Sequence, residues 1–381
     1  MSLFFITFFL AYGSMHLYAF LRARTALHFG ITFGMGLAAF MLVMLFAPIL
    51  IRQAEKQGLE QAARILSFVG YTWLGILFLF SSSSLILDLY RLLIRSAELV
   101  QQAAYANLKP TAGVLFYLPL IVSLLVAAYG YGEALNIRTE RITIRTPKIP
   151  ASVGKVRIVQ ISDVHLGLII REERLSRILK LVREAAPDIL VCTGDLVDGQ
   201  INGMPSLAEL FNGINPPYGK YAVTGNHEFY AGLEQALAFI RKSGFRVLRN
   251  EAVDIKGVLN IAGVDDRAIR PRSVISDGAE KEMLSRLPQE QFTLFLKHRP
   301  LSDKDSIGLF DLQLSGHVHR GQIFPFSILT KFYYPVHAGF SNLGSGSSLY
   351  VSSGTGTWGP PIRFLSPPEI TVIDLVRNSE G

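Results

Sequence analysis

Cysteine is almost missing: Cys192 is the only one in 381 residues. An intramolecular disulfide is therefore excluded, and the fold cannot depend on oxidation. Cys192 lies in the apolar run ILVCTGD and reads as a buried strand thiol. Charge is scarce too, but only in one part of the chain. Before residue 133 there are eight Lys/Arg and four Asp/Glu, against 29 and 26 in the remainder. The net charge of +7 divides into about +4 and +3 between these parts, with no concentrated basic stripe of the kind that holds a polyanion. Nucleic acid is thus not expected as a partner. No internal repeat and no long low-complexity tract breaks the chain, so it divides by hydropathy: a membrane region, then a globular domain of about 230 residues or a little more. The expected boundaries are 1–132 for the transmembrane helical region and 133–381 for the soluble domain.

A bilayer core needs roughly 20 apolar residues in helical form. Four stretches reach that length: Leu3 to Leu21, Phe29 to Ile51, Ile65 to about Leu87, and Thr111 to Tyr131. The first has no positive leader and no small-residue cleavage site, and reads as a retained span. Arg22, Arg24, Arg91, Arg95 and Lys109 fall on one side of the four spans, and Arg52, Lys56 and Arg64 on the other. That bias puts the first and third loops in the cytoplasm, with both termini and the globular domain on the extracytoplasmic side of a bacterial inner or plasma membrane. Asp88 and Arg91, at i and i+3 near a span end, read as a surface ion pair, and His16 reads as a residue near a boundary.

The polar part alternates strand, loop and helix. NIRTERITIRTPKIP has the period of a strand; VRIVQIS, DILVCTG and GKYAVTGN are buried strands; and REERLSRILKLVREA carries Leu175, Ile178, Leu179 and Val182 at helical spacing. Shorter strands follow at VLNIAGV, FTLFLKH, DLQLSGH, SLYVSSG and EITVIDL. The pattern predicts a layered α/β fold.

In five places an apolar strand ends directly in a polar cluster: SDVH, TGDLVDG, GNHE, KHRP and SGHVH. Functional groups of open α/β folds gather beyond the carboxyl ends of strands. Each cluster offers carboxylate, amide or imidazole donors of the type that hold Mn, Fe or Zn, and five of the eight histidines fall within them. Gly194, Gly225 and Gly316, each just before a candidate residue, read as tight-turn formers.

The ordered set D-x-H, G-D-x-x-D, G-N-H-E and G-H-x-H resembles the calcineurin-like metallophosphoesterases over about residues 155–376. The strings SGHVHRGQIFPF, LYVSSGTGTWGPPIRF and SPPEITVIDL are similar to its bacterial membrane-associated branch. The resemblance implies a β-sandwich flanked by helices and two divalent metal ions, Mn foremost with Fe or Zn as alternatives. Asp163, His165 and His319 would bind the first metal; Asn226, His298 and His317 the second; and Asp195 would bridge. His227 would face the scissile phosphate and act on the leaving oxygen. The implied reaction is hydrolysis of phosphomonoesters or phosphodiesters by metal-activated water.

Asp198 reads as an orienting partner of a ligand or as a cap, and Glu228 as a partner of a neighbouring histidine or an exposed acid. Arg320, where this branch has glycine, and Arg363 are the substrate-binding candidates, and the run Arg267 to Arg272 is a further anion-binding candidate. Phe324, Phe326, Phe332, Tyr333, Tyr334 and Trp358 would form core, or an apolar wall toward an acyl chain or the membrane. A phosphoester substrate, lipidic in keeping with a membrane region, and the bilayer itself are the expected partners. The alternative is a metal-bound phosphate-ligand sensor or scaffold signalling through the helices; retention of His227 and the full ligand set favours the enzyme.

Overall fold

The computed structural model describes residues 2–102, 104–199, 205–266 and 278–378. The arginine run at 267–272 lies outside them. The chain forms two compact units, Met1–Gly132 with Gly359–Phe364, and Glu133–Trp358 with Leu365–Gly381.

The first unit is built from helices α1 (Ser2–Leu27), α2 (Ile31–Lys56), α3 (Glu60–Gln101) and α4 (Ala112–Leu135). Among the described residues three helical stretches, not the four expected, are long and apolar enough to cross a membrane: Ile31–Lys56, Glu60–Gln101 and Ala106–Leu135. The expected first span, Leu3 to Leu21, lies within helix α1 but is not one of the three. Helix α3 is longer than the sequence suggested. Its 42 residues extend roughly 60 Å, about twice a bilayer core.

Several polar residues of these helices pair across them. His16 is buried: its Nδ1 donates to the Tyr12 carbonyl at 2.8 Å while its Nε2 accepts from the Trp73 indole at 2.9 Å. Asp88 pairs with Arg22 and accepts from the Tyr18 hydroxyl at 2.5 Å, with Arg91 farther off at 3.4 Å. The ion pair therefore joins α1 to α3 and is not chiefly the i, i+3 contact. Gly359–Phe364 belongs with these helices: the Arg363 N–H donates to the Gly130 carbonyl at 2.9 Å, and a Cβ at Gly130 would stand 2.6 Å from Ile362.

The second unit holds two six-stranded mixed sheets. One has β1 (Arg138–Thr146), β2 (Lys155–Ile161), β3 (Ile189–Cys192), β4 (Lys220–Ala222), β5 (Arg246–Val247) and β12 (Glu369–Arg377), in the order β1-β12-β2-β3-β4-β5. The other has β6 (Glu251–Ile255), β7 (Leu259–Gly263), β8 (Phe292–Leu296), β9 (Leu312–Ser315), β10 (Gly339–Gly344) and β11 (Ser347–Val351), in the order β10-β11-β9-β8-β7-β6. Helices α5 (Glu172–Ala185), α6 (Pro205–Leu210), α7 (Asn226–Ala231), α8 (Leu233–Lys242), α9 (Ala279–Ser285) and α10 (Phe326–Tyr333) complete it.

Side-chain parity explains the layering, since alternate residues of a strand face opposite sides. Val156 and Ile158 of β2, Ile189 and Val191 of β3, and Ile373 and Leu375 of β12 meet Leu259, Ile261, Leu294 and Leu312 in a core that joins the sheets. Their neighbours Val159, Ile161, Leu190, Cys192 and Val372 pack on Leu175, Ile178 and Leu179 of α5 and on Ala236 and Ile240 of α8. Both faces are covered, so these strands read as continuous apolar runs. Strands β2, β3, β4 and β5 are parallel neighbours, as are β7, β8 and β9. Their carboxyl ends open at one edge of each sheet, where the polar clusters lie.

Candidate metal centre

The structure brings all eight expected core residues of the site together. Asp163 and His165 follow β2, Asp195 follows β3, Asn226 and His227 begin α7 after β4, His298 follows β8, and His317 and His319 follow β9. Three overlapping groups have donor atoms within 4.8 Å of one another: Asp163, His165 and His319; His165, Asp195 and His227; and Asp195, His298 and His317. Backbone bonds lash the loops to each other. Asp163 N–H donates to Gly194, His165 N–H to Asp195, and Gly316 N–H to His298, all at 2.9–3.0 Å. Five of these residues, Asp163, His165, Asp195, His317 and His319, hold positive φ angles between 49° and 71°. Non-glycine residues in that region are strained by roughly 1 kcal/mol or more each, and such strain persists where the surroundings impose it, typically at functional sites.

The donor atoms fit divalent cations on three observations. The Nε2 atoms of His165 and His319 face each other at 3.0 Å, and Nδ1 of His317 faces Nε2 of His298 at 3.2 Å, an arrangement of lone pairs that a cation between them satisfies. The buried Asn226 Oδ1 has no hydrogen-bond donor, although a buried amide oxygen nearly always finds one. Finally, His298 Nδ1 donates to the Thr193 carbonyl at 2.8 Å, which aims Nε2 at the Asp195 carboxylate, 3.1 Å away; this is how outer hydrogen bonds orient metal-binding imidazoles.

The electrostatics call for positive charge. Burial raises the Asp163 carboxyl. Burial works the same way on Asp195, but the facing imidazoles of His298 and His227 outweigh it and hold that carboxyl well below its usual range. Against desolvation, Asp195 carries His298 up to about 10, and Asp195 with Asp198 carries His227 up to about 9. His317, desolvated and facing His298, is pushed well down. Without metal, protons on imidazole thus neutralise the buried carboxylates; metal binding to such sites displaces protons.

Asp198 belongs to the site as an orienting group. Its Oδ1 lies 2.6 Å from His227 Nδ1 and 3.6 Å from His165 Nδ1, so the opposite nitrogen of His227 is the one left to face a ligand. Glu228 contacts neither histidine in the way the sequence suggested, nor is it exposed. It is wholly buried and accepts the backbone N–H groups of Asp195, Leu196, Val197 and Gly225 at 2.6–3.3 Å. It ties the Asp195 loop to the Asn226 loop. Glu228→Gln turns an amide N–H₂ toward these donors; each buried donor left unpaired costs roughly 1–3 kcal/mol. Thermal denaturation of the variant is expected to fall by about 10 °C, with bound metal lost in parallel.

Two of the three glycines act differently from the turn-forming role expected. Only Gly194 has positive φ, at 95°. Gly225 and Gly316 are needed for space: a Cβ would stand 2.1 Å from Asp195 Oδ1 in the one case and 2.0 Å from Ser162 Oγ in the other. The sequence reading missed Gly356, whose N–H donates to the Asp163 carbonyl at 3.0 Å and whose Cβ would meet the Val164 carbonyl at 2.1 Å. Because that obstacle is backbone, Gly356→Ala is expected to destabilise by about 1–3 kcal/mol and to weaken metal binding by displacing Asp163, as denaturation and metal titration would register.

Arg320 is exposed beside His319, with φ of 51°, and lines a cavity of about 370 Å³ with Arg138, Glu140, His337, Tyr350 and Glu369. Arg363 is a correction. It is 0% exposed, where a substrate-binding arginine open to solvent was expected. Trp358 is held at this edge by Gln322, whose side chain bonds its N–H and carbonyl at 2.9 and 2.8 Å, and its ring stands 6.0 Å from His227.

The family model described as calcineurin-like phosphoesterase matches residues 156–321. An uncharacterized metallophosphoesterase of Aquifex aeolicus is 40% identical over 258 residues, 67% of this chain and 98% of its own. A transmembrane protein with metallophosphoesterase domain from Danio rerio is 31% identical over 326 residues, covering 81% of this chain and 74% of its own. Among solved structures, TT1561 of Thermus thermophilus overlays with a TM-score of 0.37 at 13% identity, over 52% of this chain and 89% of that one.

Proposed function

The chain belongs to the calcineurin-like phosphoesterases and is a metal-dependent phosphoester hydrolase, and from that premise we propose that it works at a membrane on lipid phosphates or lipid-linked phosphoesters. Asp163, His165 and His319 would hold one cation and Asn226, His298 and His317 the second, with Asp195 positioned to serve both. The observation that carries this assignment is the unpartnered Asn226 Oδ1 beside paired imidazole nitrogens. When bound, the cations supply Lewis-acid and water-activating chemistry, with Mn the foremost candidate.

The other residues position and move protons. Asp198 fixes the His227 ring through Nδ1 and so leaves its other nitrogen to protonate the departing oxygen. Asn226 contributes a neutral carbonyl oxygen, which adds no charge against an anionic substrate. Arg320, exposed next to the cluster, receives a further anionic oxygen of the substrate. We take the soluble domain to span 133–381 and α1 to join the three apolar helices as a fourth membrane segment; the Lys/Arg bias of the loops then favours the extracytoplasmic side for the catalytic domain. The relative from Danio rerio, named as a transmembrane protein, supports the membrane assignment.

The test is turnover of p-nitrophenyl phosphate, bis-p-nitrophenyl phosphate and a panel of lipid phosphates by the detergent-solubilised chain, with Mn or with chelator. Metal-dependent turnover favouring lipidic members is expected. Efficient turnover of soluble esters with none of the lipids would overturn the substrate class.

A further inference from the structure

Helix α10 has its amphipathicity reversed. At 100° per residue, Ile328, Phe332, Leu329, Tyr333 and Phe326 fall on one arc and Ser327, Thr330 and Lys331 on the other. In a water-soluble protein the apolar arc faces the core. Here the apolar arc is the exposed one: Phe332 is 82% exposed, Leu329 54% and Ile328 50%, and no residue of the helix is buried. On the polar arc Ser327 and Thr330 are half-buried against the protein, while Lys331 is exposed at its edge. Ser327 packs so tightly on Gly321 that a Cβ there would stand 2.4 Å from the Ser327 Cα, and the Thr330 hydroxyl satisfies itself on the Ser327 carbonyl at 3.0 Å.

The helix is also fastened to the metal centre at both ends. It follows His319 and Gln322, the latter holding Trp358, and it is followed by Tyr334, whose ring stands 5.6 Å from that of His317. Phe324 and Trp358, both more than 40% exposed, extend the same kind of surface. An apolar patch of this kind marks a contact surface.

We propose that α10 is an interfacial helix that beds Ile328, Leu329, Phe332 and Tyr333 in the headgroup and acyl boundary of a lipid bilayer, next to the phosphoesterase site. The occupant follows from the chemistry. The reversed face suits an apolar medium, aromatic and aliphatic side chains flanked by Lys331 suit a bilayer with anionic headgroups, and the same polypeptide carries helices apolar enough to span one, which keeps a lipid surface within reach. The proposal rests on the membrane reading of those helices and is independent of the turnover assay.

Because Cys192 is the only cysteine and is wholly buried, a single added cysteine can be labelled selectively. The full chain carrying Phe332→Cys or Leu329→Cys, labelled with an environment-sensitive fluorophore, is reconstituted in nanodiscs containing anionic phospholipid. Lys180→Cys on α5, at a side chain 72% exposed, is the aqueous reference. Expected are blue-shifted emission, quenching by doxyl-labelled lipid several-fold stronger than at position 180, and protection from iodide, at both α10 positions. Iodide quenching equal to the reference with no doxyl quenching would overturn the proposal. So would protection from both quenchers with a doubled particle mass, which would mean that a second copy of the chain covers the helix.

Discussion

Asp195→Asn is expected to abolish measurable turnover and to lower bound metal from two ions per chain to one or fewer. The side chain belongs to two of the three donor groups: Oδ2 stands 3.1 Å from His298 Nε2 and 3.9 Å from His165 Nε2. A neutral amide there removes the charge that would offset both cations. Loss of an outer partner of a metal ligand already costs about 10- to 100-fold, so loss of a shared ligand should exceed 100-fold. The fold should survive, because the amide oxygen can still accept the His227 N–H that Asp195 Oδ1 accepts at 2.8 Å. Elemental analysis, turnover and circular dichroism of one preparation separate these effects.

His227→Ala should behave differently. Its ring joins the His165 and Asp195 donor group, yet its Nδ1 is taken by Asp198 at 2.6 Å, and the reading above makes it a proton donor and not a ligand. The expected result is a fall in kcat of about 10²- to 10⁴-fold with metal content unchanged. The deficit should be smaller for p-nitrophenyl esters, whose leaving group departs without protonation, than for alkyl phosphoesters. Loss of metal together with activity would reassign His227 as a ligand.

The contrast between these variants follows from what could be read before any fold was known. The strand runs were legible because both faces of β2, β3, β8 and β9 are buried, which writes them as unbroken apolar stretches. The candidate ligands were legible because each stands within four residues of such a run's end. Glu228 was not, since its four backbone partners come from two loops that are adjacent only after folding. Gly356 was hidden for the same reason: its constraint is the Val164 carbonyl, nearly two hundred residues earlier. Arg363 reads as a basic loop residue but is buried, in a short segment, Gly359–Phe364, that groups with helices from the other end of the sequence. The two-residue β5 and the edge strands β6 and β10 carry too little apolar signal to stand out. In helix α1, Tyr12, His16 and Tyr18 bond to Met44, Trp73 and Asp88 of other helices, pairings between distant segments that composition does not show.

The reversed face of α10 bears on how substrate arrives. An enzyme that holds its site at a lipid surface draws substrate from two dimensions, and turnover of a lipid phosphoester should then depend on its surface density more than on its bulk concentration.

Hydrolysis by this chain would depend on a pair of metal ions held by the Asp163 to His319 cluster. The most direct test of that dependence is elemental analysis of the purified full chain, before and after chelation and reloading with Mn, with phosphoesterase turnover followed in parallel. Two ions per chain, with turnover lost on chelation and restored on reloading, is the expected result. Turnover that persists in a chain stripped of metal would contradict it.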